Sequence, residues 1–295
     1  MADTGRFRID HHGSLVRPPG LAVPDAIADA VRTQRKLGLS AVTDGEFRRS
    51  GPLSVVVDAV RGFRGTTAVG DLEPHRTLVA DDVAALATLT SIPAKATLPA
   101  PSFVAARAFD PAAGSPFRSA RELGEALALI VRDEITRIID RGIRYIQLSN
   151  PAYGEGLAPA DAIAVDSLAI GVEKPAGVRI AVSTTLPVPP RVLAEIPADR
   201  WLLPFTRGDE AELDLLRAVP EGRDVCLGIV DPAAPALEEV GPILDRIDAA
   251  AAIRDIECLA VSPSAGFGGR TDAEAQRATL IHVETIARMV WGNEL

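Results

Sequence analysis

His11 and His12 stand in tandem ahead of Gly13 and Ser14, and a carboxylate, Glu46, follows the run Thr43-Asp44-Gly45 further along the chain. An imidazole and a carboxylate held side by side can pass a proton near neutral pH, where histidine titrates. Successive residues of an extended segment point to opposite faces, so only one of the two histidines can face a shared site. We assign that position, and a catalytic part beside Glu46, to His12, with His11 among the substrate-binding residues. The competing reading of Glu46 is a loop-ordering salt bridge to Arg48 or Arg49.

Arg17 and Arg48 carry the planar fork that suits a carboxylate, and the Ser14 hydroxyl with its neighbouring N–H groups would complete the cradle. Asn150 and Tyr153, in Asn150-Pro151-Ala152-Tyr153-Gly154, are expected as catalytic hydrogen-bond donors to an oxyanion or carbonyl, although Tyr153 reads equally well as a packed aromatic. Ser183, Arg207 and Asp231 are further substrate-binding candidates. Ser183 as a nucleophile would need a base beside it, and no local motif supplies one. A glycine-rich run ending in Arg270 could hold a phosphate or an anionic tail.

Nearly all of these residues close a short β-rich run. Eight such runs are expected, at 7–11, 40–43, 94–98, 145–148, 178–183, 201–205, 225–230 and 258–261. Helical patterns lie between them at 24–37, 120–141, 161–172, 189–196, 210–218, 236–252 and 272–291. In the second of these Leu123, Leu127, Ile130, Val131, Ile135, Ile138 and Ile139 mark one apolar face, with Arg132, Asp133, Glu134 and Arg137 opposite. Strand and helix alternating from end to end predicts an α/β protein, a (β/α)8 TIM barrel whose strand ends converge on one mouth. The rival, an open doubly wound sheet, lacks its glycine-rich first turn.

One domain is expected over residues 1–295. Residues 50–92 do not fit a single βα unit. They read as an excursion between the second and third strands, with a strand at 76–80, carried over the mouth as a lid, a dimer arm or both. As an arm it would make a homodimer.

Of 295 residues, 31 are Lys or Arg and 40 are Asp or Glu, for a formal charge of −9. That balance excludes partners held by counterion release, so neither nucleic acid nor a membrane surface is expected. Only two cysteines, Cys226 and Cys258, are present, which argues against a disulfide-stapled fold. With no apolar run of membrane length and no leader pattern, the expected location is the cytoplasm and the expected partner a small anionic organic substrate.

Six segments in order resemble the cobalamin-independent methionine synthase family in its short, single-barrel form: His11-His12-Gly13-Ser14-Leu15-Val16-Arg17-Pro18, Thr43-Asp44-Gly45-Glu46-Phe47-Arg48-Arg49, Lys95-Ala96-Thr97-Leu98-Pro99, Ile146-Gln147-Leu148-Ser149-Asn150-Pro151-Ala152, Ser262-Pro263-Ser264-Ala265-Gly266-Phe267 and Arg288-Met289-Val290-Trp291-Gly292. The resemblance implies a barrel, a thiol substrate bound to zinc, and alkyl or methyl transfer to that thiol. The family's four zinc ligands are a His-x-Cys pair, a Glu and a Cys. Aligned here they fall on Ser183, Thr185, the neighbourhood of Pro204, and Ala265, none a strong zinc ligand. Its acidic pair, one member of which holds the substrate amino group, falls on Ser149 and Asn150, and its proton-donating His on Ala233.

Three functions are therefore expected in order, without metal or organic cofactor. The first is acid–base-assisted bond cleavage or group transfer on a small carboxylate-bearing substrate, with uroporphyrinogen decarboxylase, similar in fold, as precedent. The second is zinc-free methyl or alkyl transfer from a folate-type donor, stacked on Phe47, Tyr153 or Phe267. The third is a non-catalytic ligand-binding descendant.

Overall fold

The computed structural model describes residues 7–269 and 271–292, so Arg270 lies outside the described residues. In chain order the elements are α1 (Val23–Lys36), α2 (Ser54–Val57), β1 (Val60–Arg64), β2 (Thr67–Pro74), α3 (Ala80–Ala87), β3 (Lys95–Pro99), α4 (Pro101–Ala108), α5 (Ala120–Asp140), β4 (Tyr145–Asn150), α6 (Pro159–Ile170), β5 (Arg179–Thr184), α7 (Pro190–Glu195), β6 (Arg200–Pro204), α8 (Glu210–Ala218), β7 (Asp224–Val230), α9 (Val240–Ala251), β8 (Leu259–Pro263) and α10 (Ala273–Trp291). Strands β3 to β8 pair in sequence order, all parallel, with helices between them.

The two remaining barrel positions are held by very short segments. Residues 8–10 run parallel to β8 through the Ile9–Val261 bridge, with Asp10 N–H donating to the Val261 carbonyl at 2.9 Å. Ser40 N–H donates to the Ile9 carbonyl at 2.9 Å, and Val42 bridges Ala94 at the entry to β3. The expected first two strands are thus single bridges, which carry the hydrogen bonding from β8 round to β3 and close the ring.

Strand alternation divides the side chains into two populations. Ala96, Leu98, Ile146, Leu148, Val182, Trp201 and Leu203 are buried, and all of them join the large cluster that extends into the helices. A separate apolar cluster of Phe7, Ala41, Tyr145, Ala181, Leu202, Cys226 and Ala260 fills the lower barrel. Charge accompanies it. Lys95 Nζ donates to Asp10 Oδ1 at 2.8 Å with both side chains wholly buried, the Tyr145 hydroxyl donates to Asp10 Oδ2, and Arg200 donates to the Phe7 carbonyl at 3.0 Å. Cys226 sits in this layer, where burial pushes its thiol up to about 12. Cys258 lies in a short 3-10 turn below β8.

The excursion differs from its expected form. A β1–β2 hairpin with antiparallel register occupies it, and β2 packs against α4 and α5 on the barrel flank. Only its beginning, at Pro52, borders the mouth. Residues 76–80 form no strand, because the buried Glu134 carboxylate of α5 accepts from the N–H groups of Val79 and Ala80, both at 2.7 Å, and so caps α3 there. Among the described residues no helix is long and apolar enough to cross a membrane.

Candidate active site

A cavity with about 730 Å³ of empty space opens at the carboxyl ends of β3, β4 and β5, and its wall includes His12, Glu46, Arg49, Ser149 and Ser183. Outside it a wider vestibule of about 1270 Å³ shares Ser14, Glu46, Arg49 and Pro52 and adds Arg17. This is the barrel face on which such folds carry chemistry.

Glu46 is delivered to this wall by an unusual backbone. It sits in the left-handed region at φ +61°, directly after Gly45 at +71°. The Asp44 side chain accepts from the Glu46 N–H at 2.9 Å and holds the turn. The Glu46 Oε1 atom accepts from the Thr97 hydroxyl at 2.8 Å and lies 3.2 Å from the Arg49 guanidinium, which also donates to the Thr97 carbonyl at 2.7 Å. Gly13 makes room for this arrangement: at φ +124° a Cβ there would meet Glu46 Oε1 at 2.7 Å and Thr97 Cγ2 at 2.8 Å.

The tandem histidines part as the alternation requires. His12 borders the cavity, whereas His11 is wholly buried behind it. Burial, reinforced by the Lys95 charge, depresses the His12 imidazole to about 3 and that of His11 to about 4. His12 is therefore a neutral ring at physiological pH. Such a ring does not match the near-neutral proton carrier expected of it.

The cavity floor consists of neutral polar groups in contact. Gln147 Nε2 donates to the His12 carbonyl at 2.8 Å and reaches Ser149 Oγ at 2.9 Å and Ser183 Oγ at 3.1 Å, while the two serine oxygens are 2.9 Å apart.

Several expected site residues are engaged elsewhere. Asn150 Nδ2 donates to Ser102 Oγ at 2.8 Å and Tyr153 Oη to Asp166 Oδ2 at 2.8 Å, so both belong to a buried cluster that ties the end of β4 to α4 and α6. Strand alternation puts Asn150 on the helix-facing side with Ile146 and Leu148, and its Oδ1 accepts from Ala152 N–H at 2.8 Å. Arg48 pairs with Asp44 at 3.0 Å and Asp82 at 3.2 Å, turned from the cavity. Arg207 is exposed and paired with Asp209 at 2.7 Å, and exposed Asp231 caps its own turn by accepting from Ala233 N–H at 2.9 Å. Arg17 reaches the vestibule and donates to the Leu21 carbonyl at 2.7 Å. Ser14 lines both spaces and packs on Gly266.

Of the site residues left out of the initial set, Thr97, Gln147 and Ser149 carry a signal in period two, whereas Arg49 lies in a loop and carries none. Thr97 lies two residues above inward-facing Lys95, and Gln147 and Ser149 lie two and four above inward-facing Tyr145.

A ring of parallel strands with covering helices and a polar cavity at the strand ends defines the (β/α)8 barrel class. Within it, residues 20–288 match the family described as cobalamin-independent synthase, catalytic domain, and the chain belongs to that family. A 5-methyltetrahydropteroyltriglutamate–homocysteine methyltransferase of Aliivibrio fischeri is 23% identical over 92% of this chain, and one of Nitratidesulfovibrio vulgaris is 26% identical over 91%. The chain spans under two-fifths of the length of these relatives, 38% and 37%. The structure of a B12-independent methionine synthase from Shewanella sp. W3-18-1, in complex with selenomethionine, superposes with a TM-score of 0.83 at 19% identity, covering 96% of this chain and 97% of that one. That likeness establishes the fold.

The family resemblance calls for a zinc site, so its fit to these side chains matters. Ser183, Thr185 and Ala265, three of the four aligned ligand positions, do meet on the one cavity. They offer two hydroxyls and a methyl. Among the described residues no group of three or more His, Cys, Asp or Glu side chains is placed to hold a metal ion. The donor set does not fit zinc, which favours thiolate, imidazole and carboxylate ligands.

Proposed function

We infer that this chain is a metal-independent member of the family, an enzyme that carries out acid–base-assisted group transfer or bond cleavage on a small carboxylate-bearing substrate, and that it does not make methionine. One observation carries the reading: Ser183, Thr185 and Ala265, the positions to which the family resemblance assigns metal ligands, meet on one cavity and offer two hydroxyls and a methyl. A thiol acceptor attacks as its thiolate, and near neutral pH zinc is the usual means of holding sulfur in that form. Hydroxyls of ordinary acidity cannot replace it.

Glu46 is the carboxylate that remains. With Oε1 engaged by Thr97 and Arg49, its other oxygen is kept for a substrate proton. Transfer is favoured over cleavage because the curated relatives are methyltransferases by name.

The test is a metal analysis of freshly purified protein, paired with an assay of methyl transfer to homocysteine with and without added zinc. The expected outcome is zinc well below one equivalent and no methionine. Stoichiometric zinc, or zinc-stimulated methionine formation, overturns the reading.

A further inference from the structure

On the outer flank of the barrel α1 and α10 leave a groove with about 870 Å³ of empty space, which shares no wall residue with the cavity at the strand ends. Its floor is apolar, formed by Leu15, Val16, Ala30, Leu37, Phe47 and Leu280. One buried polar group opens into it. Gln276 on α10 is 9% exposed and lines the groove. Its Oε1 accepts from the Val16 N–H at 2.6 Å, and because a backbone N–H can only donate, oxygen must face it and Nε2 is turned away. Among the described residues this Nε2 has no partner, and solvent reaches it, unlike enclosed unpartnered atoms such as Trp291 Nε1.

The facing glutamine of α1 makes the contrast. Gln34 Nε2 donates to the carbonyls of Ala30 at 3.1 Å and Thr43 at 2.8 Å, and its Oε1 accepts from Thr43 N–H at 2.9 Å, so that amide is fully engaged. Gln276 keeps two N–H donors unspent where buried polar groups are ordinarily bonded. The rim of the groove is cationic. Lys36 and Arg277 border it, both exposed, and neither has an ion-pair partner among the described residues. Asp29, the acid that borders it, is balanced by Arg32 at 3.0 Å. In a chain of net charge −9 this local excess of positive charge selects for an anion.

We propose that the groove is a second binding site, for a small amphipathic carboxylate, whose carboxylate accepts from Gln276 Nε2 and pairs with Arg277 while its aliphatic body covers Leu37, Leu280 and their neighbours. A compact anion such as phosphate would leave the floor uncovered, and a neutral chain would leave the cations unused. Leu15 and Phe47 also line the vestibule, and they directly follow Ser14 and Glu46 in the chain. An occupant of the groove therefore touches, from behind, the two turns that bring those residues to the mouth. The proposal stands independently of whether the barrel cavity holds a metal.

Amide NMR of the full chain titrated with hexanoate tests it. Shifts are expected at Val16, Leu37 and Leu280. Hexanoate is expected to bind at least about tenfold more tightly than hexanamide, which lacks the charge, and than acetate, which lacks the aliphatic body. Gln276→Glu keeps an acceptor for Val16 near the start of α10, where an acid is tolerated, but sets a carboxylate against the ligand; it is expected to lose at least about tenfold of the affinity. Arg277→Glu, an exposed change, is expected to lose as much, and it decides the matter should Gln276→Glu not fold. Arg49→Gln, which removes a cation from the mouth, is expected to bind hexanoate as the unaltered protein does. No binding of hexanoate, hexanamide bound as tightly, unaffected variants at Gln276 and Arg277, or shifts confined to the barrel cavity and lost in Arg49→Gln each overturn the proposal.

Discussion

Glu46 shows how a single residue can be set against its own backbone preference. Its left-handed φ of +61° is a conformation in which a Cβ crowds the following carbonyl, at a cost on the order of 1–2 kcal/mol for residues other than glycine. The side chain is held there by Thr97 and Arg49, so the strain is offset locally and the carboxylate is aimed at the cavity. Two truncations separate backbone from side chain. Glu46→Gly and Glu46→Ala lose the same polar contacts, but only glycine relaxes the turn. Urea denaturation is expected to find Glu46→Gly more stable than Glu46→Ala by about 1 kcal/mol. Equal stabilities would mean that the turn is not strained. His12 makes the complementary point: its type and place in the sequence suggested a proton carrier, yet burial and a nearby lysine hold it neutral, a role that residue type alone does not reveal.

At the scale of elements, the buried carboxylate of Asp166 on α6 accepts from the Ser102 N–H at 2.9 Å, the Ser102 hydroxyl at 2.6 Å and the Tyr153 hydroxyl at 2.8 Å. Burial outweighs these bonds and raises its pKa from 3.8 to about 6. The folded state therefore holds a proton more tightly than the unfolded chain. The resulting stability is fully present below the unfolded pKa and is lost as pH rises through about 6, on the order of 3 kcal/mol in all. In urea melts the unaltered protein is expected to lose stability relative to Asp166→Asn between pH 4 and pH 8. A difference that stays flat across that range contradicts the assigned cause.

The same cluster marks how far the sequence could be read. The β/α alternation, the polar strand ends and the helix at 120–141 are written in local periodicity, and the fold follows from them. Asn150 and Tyr153 looked like site residues because they follow a strand, but a carboxylate from α6 and a serine from α4, both distant in sequence, claim them. Glu134 likewise caps α3 from more than fifty residues away, so the expected strand at 76–80 had no local sign of its replacement. Long-range polar partners decide such cases, and periodicity does not carry them.

Over the whole molecule, the ring is closed by two single-bridge segments, and behind them lies a buried ion pair that holds the first segment to β3. Burial works against charge on both Lys95 and Asp10. For Asp10 the nearby Lys95 and Arg200 outweigh it, and the carboxyl stays below its usual range. Such a pair contributes little net stability compared with apolar residues of the same volume, but breaking it strands a charge. Lys95→Met is expected to cost about 3–5 kcal/mol in urea denaturation, and adding Asp10→Asn should recover a large part of that loss; strictly additive losses would rule out the coupling. The consequence reaches the mouth, because the Lys95 charge is the second cause, after burial, of the low His12 pKa. In Lys95→Met the imidazole, followed by NMR through a pH titration, is expected to titrate above its present value of about 3 yet below 6.5, since burial persists. An unmoved His12 would mean that the lower barrel and the cavity floor are electrostatically independent. A movement of the expected size would make the buried ion pair, invisible from the mouth, one of the groups that keeps the His12 ring neutral.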